Sequence, residues 1–283
     1  MDVSDLVHNL RELIELDRGF GVEFVPRARE SAAVSPAAAP SALPRSPARP
    51  QTMPAAPTSD SRSPAPRVTP PAPAPKPTVS PSPILLAPAP AISGDSLAAI
   101  AAEATACTRC TLCSTRTHAV PGEGHPTPQL LFIGEGPGAE EDAQGRPFVG
   151  PAGQLLDRMI GAMGLTRAEV FIANVVKCRP PGNRNPEPDE ILACLPYLHR
   201  QIQVTKPTVI CTLGNVPLRA LFGADQPGIT KVRGQRLSWH GTTVIPTFHP
   251  SYLLRNESAK KPCWEDLLVV LRELGREPPV RQK

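Results

Sequence analysis

Apolar residues in this chain fall into two patterns: short unbroken runs, and stretches where they recur every three or four positions. The runs lie at 129–133, 170–175, 208–213 and 243–248. Each is too short for a stable helix and apolar on both faces, as a strand covered from two sides must be. Between and around them, helical spacing marks 96–107, 151–163, 189–205, 215–222 and 258–274. Pro151 sits at a first helical position and Gly164 at a stop, both where helices prefer them. Residues 229–240 read as a polar hairpin. Strands alternating with helices predict a three-layer α/β/α fold around a central, mainly parallel four-stranded sheet. Ligands of such sheets bind at the carboxyl ends of the strands. Three loops with unusual residues, 134–150, 174–186 and 249–255, all follow strands and so converge on one edge.

The first quarter of the chain follows neither pattern. Val3, Leu6, Val7, Leu10, Leu13 and Ile14 form one helical stripe that stops near Gly19. Residues 1–25 thus read as an amphipathic segment that either docks on the main domain or binds a protein partner. From 26 to 94 the chain is proline, alanine and serine with scattered arginine, and its one apolar patch is at 84–86. It lacks the large apolar side chains that offset ordering entropy, so a disordered, partly extended linker is expected. Asp95 or Ser96 can cap the first helix of a folded domain spanning 95–283.

Composition sharpens this division. Half of the 38 prolines crowd into the stretch before residue 95, which leaves about 190 residues for the folded part, one domain in size. The net charge of +4 is uneven: the linker carries seven Arg or Lys against Glu30 and Asp60, and residues 1–25 are acidic. The folded part is therefore only mildly basic, which permits nucleic-acid binding without demanding it. No apolar run reaches the ~18 residues of a membrane span. The acidic amphipathic start is unlike a signal peptide, so a cytoplasmic protein with reduced thiols is expected.

Seven cysteines in a reducing compartment suggest metal ligation for some and core packing for others. Cys107 and Cys110 are half of a metal site, and Cys178 and Cys194 flank a proline-rich loop where ligands are common. Cys211 lies inside a strand and Cys263 near the start of the last helix, both positions for core thiols. Cys113 completes a CxxCxxC pattern also found in iron–sulfur proteins. Spacing supports four thiolates and leaves zinc and iron–sulfur both open.

The loop GEGPGAEEDAQGRPFVG at 134–150 has neither GxGxxG spacing nor a phosphate-binding lysine, and Glu135, Glu140, Glu141 and Asp142 would repel phosphate. Its glycines and Phe148 better suit a flat neutral ring with a water beside it. Asn174 ends the second strand, where its amide can be a turn former or can read a ring edge carrying adjacent N–H and C=O groups. His249 ends the last strand, followed by Leu253, Leu254 and Arg255, which could wedge into a duplex and hold its backbone.

Four motifs in order, CTRC, GEGPGAEEDAQGRPFVGPAGQLLD, NVVKCRPPGNRNPEPDEI and HPSYLLRN, resemble family 4 uracil-DNA glycosylases, the iron–sulfur class of that superfamily. The resemblance covers about 103–275. It implies a monofunctional, monomeric DNA repair enzyme acting on uracil-containing DNA, nucleoid-associated and without membrane attachment. It implies a structural [4Fe–4S] cluster on Cys107, Cys110, Cys178 and Cys194, with Cys113 outside the ligand set. In the implied pocket Gly134, Glu135 and Gly136 contact flipped uracil, Phe148 stacks on it, Asn174 reads its edge and His249 meets its O2 side. Other uracil glycosylases place an aspartate where this chain has Gly136, so water positioning falls to Glu135 with Glu141 in support. Relatives that trap the abasic sugar carry a basic insertion after this loop; here Gly150 leads directly into PAGQLLD.

Overall fold

A computed structural model of the chain describes residues 94–279. The amphipathic segment 1–25 and the linker, up to residue 93, lie outside the described residues. Four strands, β2 (Leu130–Gly134), β3 (Phe171–Asn174), β4 (Val209–Leu213) and β6 (Thr242–Thr247), form the parallel centre of one sheet. Two short strands, β1 (Glu123–Gly124) and β5 (Leu237–Trp239), add antiparallel edges, giving the order β1-β3-β2-β4-β6-β5. The expected sheet of four is therefore a sheet of six. The expected hairpin at 229–240 is also corrected: Ile229–Val232 forms a helical turn, and only Leu237–Trp239 pairs back, onto β6.

Side-chain alternation along the buried strands builds two cores. Leu130 and Phe132 of β2 point to one face, with Val209 and Cys211 of β4. There they meet helix α3 (Pro151–Ala162) through Leu155, Leu156 and Met159, and helix α8 (Lys260–Glu273) through Cys263 and Leu267. Leu131, Ile133 and Ile210 point to the other face. Helix α1 (Leu97–Ala106) covers that face with Ile100, and helix α4 (Pro188–Thr205) with Leu195, Leu198 and Ile202. Fully burying one such side chain contributes about 1.5–3 kcal/mol. Helix, sheet and helix layers are thus as the apolar runs require.

Several local features orient the site. Ser96 caps α1, its Oγ accepting the Ala99 N–H at 3.1 Å. Arg200 on α4 pairs with Asp95 and Glu103, which holds α1 so that the cysteines following it face Cys194 of α4. The loop after β2 is not all irregular: Ala139–Gln144 forms a short helix, α2, ended by left-handed Gly145 (φ 69°). After β6, His249 caps helix α7 (Pro250–Arg255), with Pro250 at its first position.

Candidate active site

A cavity of about 760 Å³ opens at the carboxyl ends of β2, β3, β4 and β6. Glu135 and Gly136 line it after β2, Asn174 at the end of β3, Leu213 at the end of β4 and His249 after β6. The three loops singled out by sequence do converge on one sheet edge.

Gly134 is small for a geometric reason. A Cβ there would lie 2.4 Å from Asn174 Oδ1 and 2.5 Å from the Phe148 ring. Only glycine lets those two side chains close over the end of β2. Phe148 is buried, its backbone sits in the left-handed region (φ 51°), and its ring centroid is 5.7 Å from that of His249. At Gly136 a Cβ would meet Val176 Cγ2 at 2.7 Å, so this backbone too runs close to its neighbour.

The polar groups differ sharply in how they are satisfied. Asn174 is buried, and its Oδ1 has no hydrogen-bond partner among the described residues. A buried carbonyl of that kind costs about 1–3 kcal/mol unless something supplies a donor. Glu135 is half-buried, its carboxyl makes no hydrogen bond or ion pair among the described residues, and burial pushes that carboxyl above the usual range. His249 Nδ1 accepts the Ser251 N–H at 3.1 Å, with Ser251 Oγ at 2.8 Å. Burial, aided by Arg255, pushes the imidazole down to about 4. At neutral pH the ring is therefore uncharged, and with Nδ1 accepting, Nε2 carries the proton.

Two sequence expectations need correction here. Glu141 lines the pocket, but its carboxylate is mostly committed to the backbone: Oε1 accepts the N–H groups of Val149 and Gly150, each at 2.8 Å, and Oε2 accepts that of Gly138 at 3.1 Å. It staples the loop closed. Leu253 is not a surface wedge either, because it is fully buried against the α3–α8 core. The exposed apolar side chains at this rim are Leu254 and Tyr252, with exposed Arg255 beside them.

A second cavity is lined by Cys107, Cys110, Cys113, Cys178 and Cys194, together with Arg109, Arg116, Lys177 and Tyr197. All seven cysteines of the chain are free thiols. Arg116 Nη1 donates to Cys178 Sγ at 3.1 Å, and the Lys177 N–H donates to Cys194 Sγ at 3.2 Å. Burial raises the Cys107 thiol, but hydrogen bonds from Tyr197 and Arg109 outweigh it and hold it below its ordinary value. Among the described residues no three His, Cys, Asp or Glu side chains close in as they would on one ion. Tetrahedral zinc at ~2.3 Å brings its sulfurs within about 4 Å of one another. Sulfurs facing one cavity, with cations beside them, are a donor set that either zinc or an iron–sulfur cluster can use. Cys211 and Cys263 are buried core thiols, as expected.

Sequence reasoning missed several residues around the site. Lys177, fully buried, donates from Nζ to Asn174 O and Gln201 Oε1, each at 2.7 Å. Glu190 ties Thr111 beside the cysteines to Arg184 at the pocket. Asn215 Oδ1 accepts the Ile229 N–H at the pocket wall. Nothing in local sequence marks these, since each acts on a partner distant along the chain.

Residues 121–268 match the family model of the uracil DNA glycosylase superfamily. The chain is 48% identical over 192 residues to a type-4 uracil-DNA glycosylase of Sulfurisphaera tokodaii, covering 65% of this chain and 87% of that protein. It is 52% identical over 144 residues to the type-4 enzyme of Thermotoga maritima, covering 50% and 75% respectively. A type-4 enzyme of Archaeoglobus fulgidus is 37% identical over 192 residues, covering 65% and 96%. With its pocket at the carboxyl edge of an α/β sheet and five thiols around a second cavity, this chain belongs to the type-4 branch of the uracil-DNA glycosylase superfamily.

Proposed function

We propose that the enzyme hydrolyses the N-glycosidic bond of uracil in DNA, releasing free uracil and leaving an abasic site, without a lyase step. A base inside a duplex is out of reach, so the nucleotide must first be extruded. Leu254 and Tyr252 fill the gap in the stack, and Arg255 holds the backbone. The extruded ring lies on Phe148. The uracil N3–H supplies the donor that Asn174 Oδ1 lacks, and this orphaned acceptor is the observation that carries the reading. Cytosine offers no N3–H and would leave the acceptor unpaired, a penalty of about 1–3 kcal/mol.

Cleavage leaves the bonding electron pair on uracil, with negative charge at O2. The neutral His249 donates its Nε2 proton in a hydrogen bond to that oxygen, a contact worth on the order of 10²–10³ in rate. Water adds to C1′ of the sugar, and Glu135, the pocket carboxylate free of protein partners, takes its proton. The uracil anion is protonated from solvent on release.

We assign a [4Fe–4S] cluster to Cys107, Cys110, Cys178 and Cys194. When bound it supplies cross-linking of the segment after α1 to α4 and the 178–184 loop; no chemical step runs through it. Residues 95–283 carry the activity, and 1–25 and 26–94 serve attachment or partner binding.

Incubation with uracil-containing DNA tests the reading. Free uracil released over many turnovers is expected. An SDS-resistant protein–DNA adduct without turnover would instead make the chain a trapping module.

A further inference from the structure

The loop 147–150 is held from two sides by opposite charges: Glu141, which lines the pocket with it, and Arg167, which does not. Arg167, in the turn between α3 and β3, donates from Nη1 to Phe148 O at 3.1 Å and from Nη2 to Pro147 O. Its guanidinium is fixed in turn by Glu123 (2.7 Å to Nε) and Asp157 (2.7 Å to Nη1). On the opposite side, Glu141 accepts the next two N–H groups, those of Val149 and Gly150. A cation thus holds two successive carbonyls, and an anion holds the two amides that follow.

That arrangement answers a specific need. Phe148 is a bulky residue with φ 51°, a conformation L side chains rarely adopt and keep only where surroundings over-determine it. Its backbone also lies directly on α3: a Cβ at Gly153 would fall 2.0 Å from the Phe148 carbonyl. Arg167, Glu123 and Asp157 are all absent from the lining of the pocket. Burial alone would raise the Glu123 carboxyl, but hydrogen bonds from Arg146 and Arg167 hold it below the usual range, so it stays ionised opposite the clamp.

We infer that Arg167 is a positioning residue for base recognition: its guanidinium fork fixes the left-handed turn at Pro147–Phe148 that presents the Phe148 ring as the floor under uracil. The inference rests on Phe148 being that floor. A lysine keeps the charge opposite Glu123 and Asp157 but cannot hold two carbonyls in one plane.

The test compares Arg167→Lys, Arg167→Ala and Phe148→Leu for inhibition by free uracil, single-turnover cleavage, affinity for undamaged DNA and thermal stability. Misplacing a positioning group by about 1 Å costs up to ~100-fold in rate. We expect Arg167→Lys to weaken inhibition by free uracil and slow cleavage by roughly tenfold each, with undamaged-DNA affinity within about twofold of wild type. Millimolar ethylguanidinium should restore part of the cleavage rate to Arg167→Ala but none to Phe148→Leu. If Arg167→Lys keeps wild-type uracil inhibition, the residue is a structural ion pair and the clamp is wrong. If Phe148→Leu also leaves uracil inhibition unchanged, the stacking floor itself fails, which is a separate outcome. Should Arg167→Ala not fold, Arg167→Lys alone decides the clamp.

Discussion

The pocket and the cysteine cavity are joined by Lys177, whose Nζ reaches Asn174 O and whose N–H reaches Cys194 Sγ. They treat their polar atoms in opposite ways. Around the cysteines, cations and N–H groups from Arg109, Arg116 and Lys177 meet the sulfurs. In the pocket, Asn174 Oδ1 and the Glu135 carboxyl are left without partners among the described residues. The first region meets its sulfurs with the protein's own donors. The second carries an unmet hydrogen-bonding demand that a passing substrate can satisfy.

That contrast is broken first by removing a thiolate. Where a metal site is absent from the unfolded chain, its binding energy is folding energy, of the order of 10 kcal/mol in small zinc domains. Cys178→Ser should therefore lose bound iron and most thermal stability together, while Cys113→Ser and Cys211→Ser keep their iron. Iron content and melting curves of the three variants decide this. Full stability in an iron-free Cys178→Ser protein would show that the cavity is not structural.

Pocket substitutions should do the reverse. Glu135→Gln and His249→Ala are each expected to lower the single-turnover rate by on the order of 10²–10³, with little change in melting temperature. Asn174→Ala should cost rate and relax discrimination against cytosine, while removing a buried unpaired oxygen. Rapid-quench cleavage assays alongside melting curves separate the two effects. A loss of rate that merely tracked stability would erase the distinction between the regions.

The rim gives a sharper version of the same test within two adjacent residues. Leu253 is core and Leu254 is 45% exposed. Leu253→Ala should cost about 3 kcal/mol of stability. Leu254→Ala should leave stability within roughly 0.5 kcal/mol but weaken cleavage of duplex more than of single-stranded substrate. Urea denaturation and kcat/KM on both substrates measure the split.

These pairs also show where sequence reading stops. The apolar runs at 129–133 and 208–213 were legible as buried strands because both faces are covered, and their ends placed the pocket. The cysteine pairs were legible through spacing and through flanking polar loops. Leu253 and Leu254 were not separable, since neighbouring helical residues differ by only about 100° in direction and packing against the α3–α8 core decides which turns in. Glu135 and Glu141 read alike until the loop closes and gives Glu141 three backbone donors. Arg167 carried no signal, because its partners Glu123 and Phe148 are 44 and 19 residues away.

The smallest effect tests whether an unpaired buried group always marks chemistry. Among the described residues His199 Nε2 and Trp239 Nε1 also lack partners, but neither residue lines the pocket, and their rings lie 5.2 Å apart. Burial, with His240 nearby, pushes His199 down to about 4. The unfolded chain, with an ordinary value near 6.5, binds that proton first as pH falls. Stability from neutral His199 is therefore complete above ~6.5 and lost as pH drops toward ~4, by at most about 1.4 kcal/mol per pH unit. Between pH 6 and 5, His199→Phe should flatten the fall in stability by roughly 1 kcal/mol, and its uracil release at pH 7.5 should match wild type. A lost activity without a change in the pH slope would mean that His199 serves the chemistry, and that the pocket is not the only place in the described residues where an orphaned group awaits a substrate.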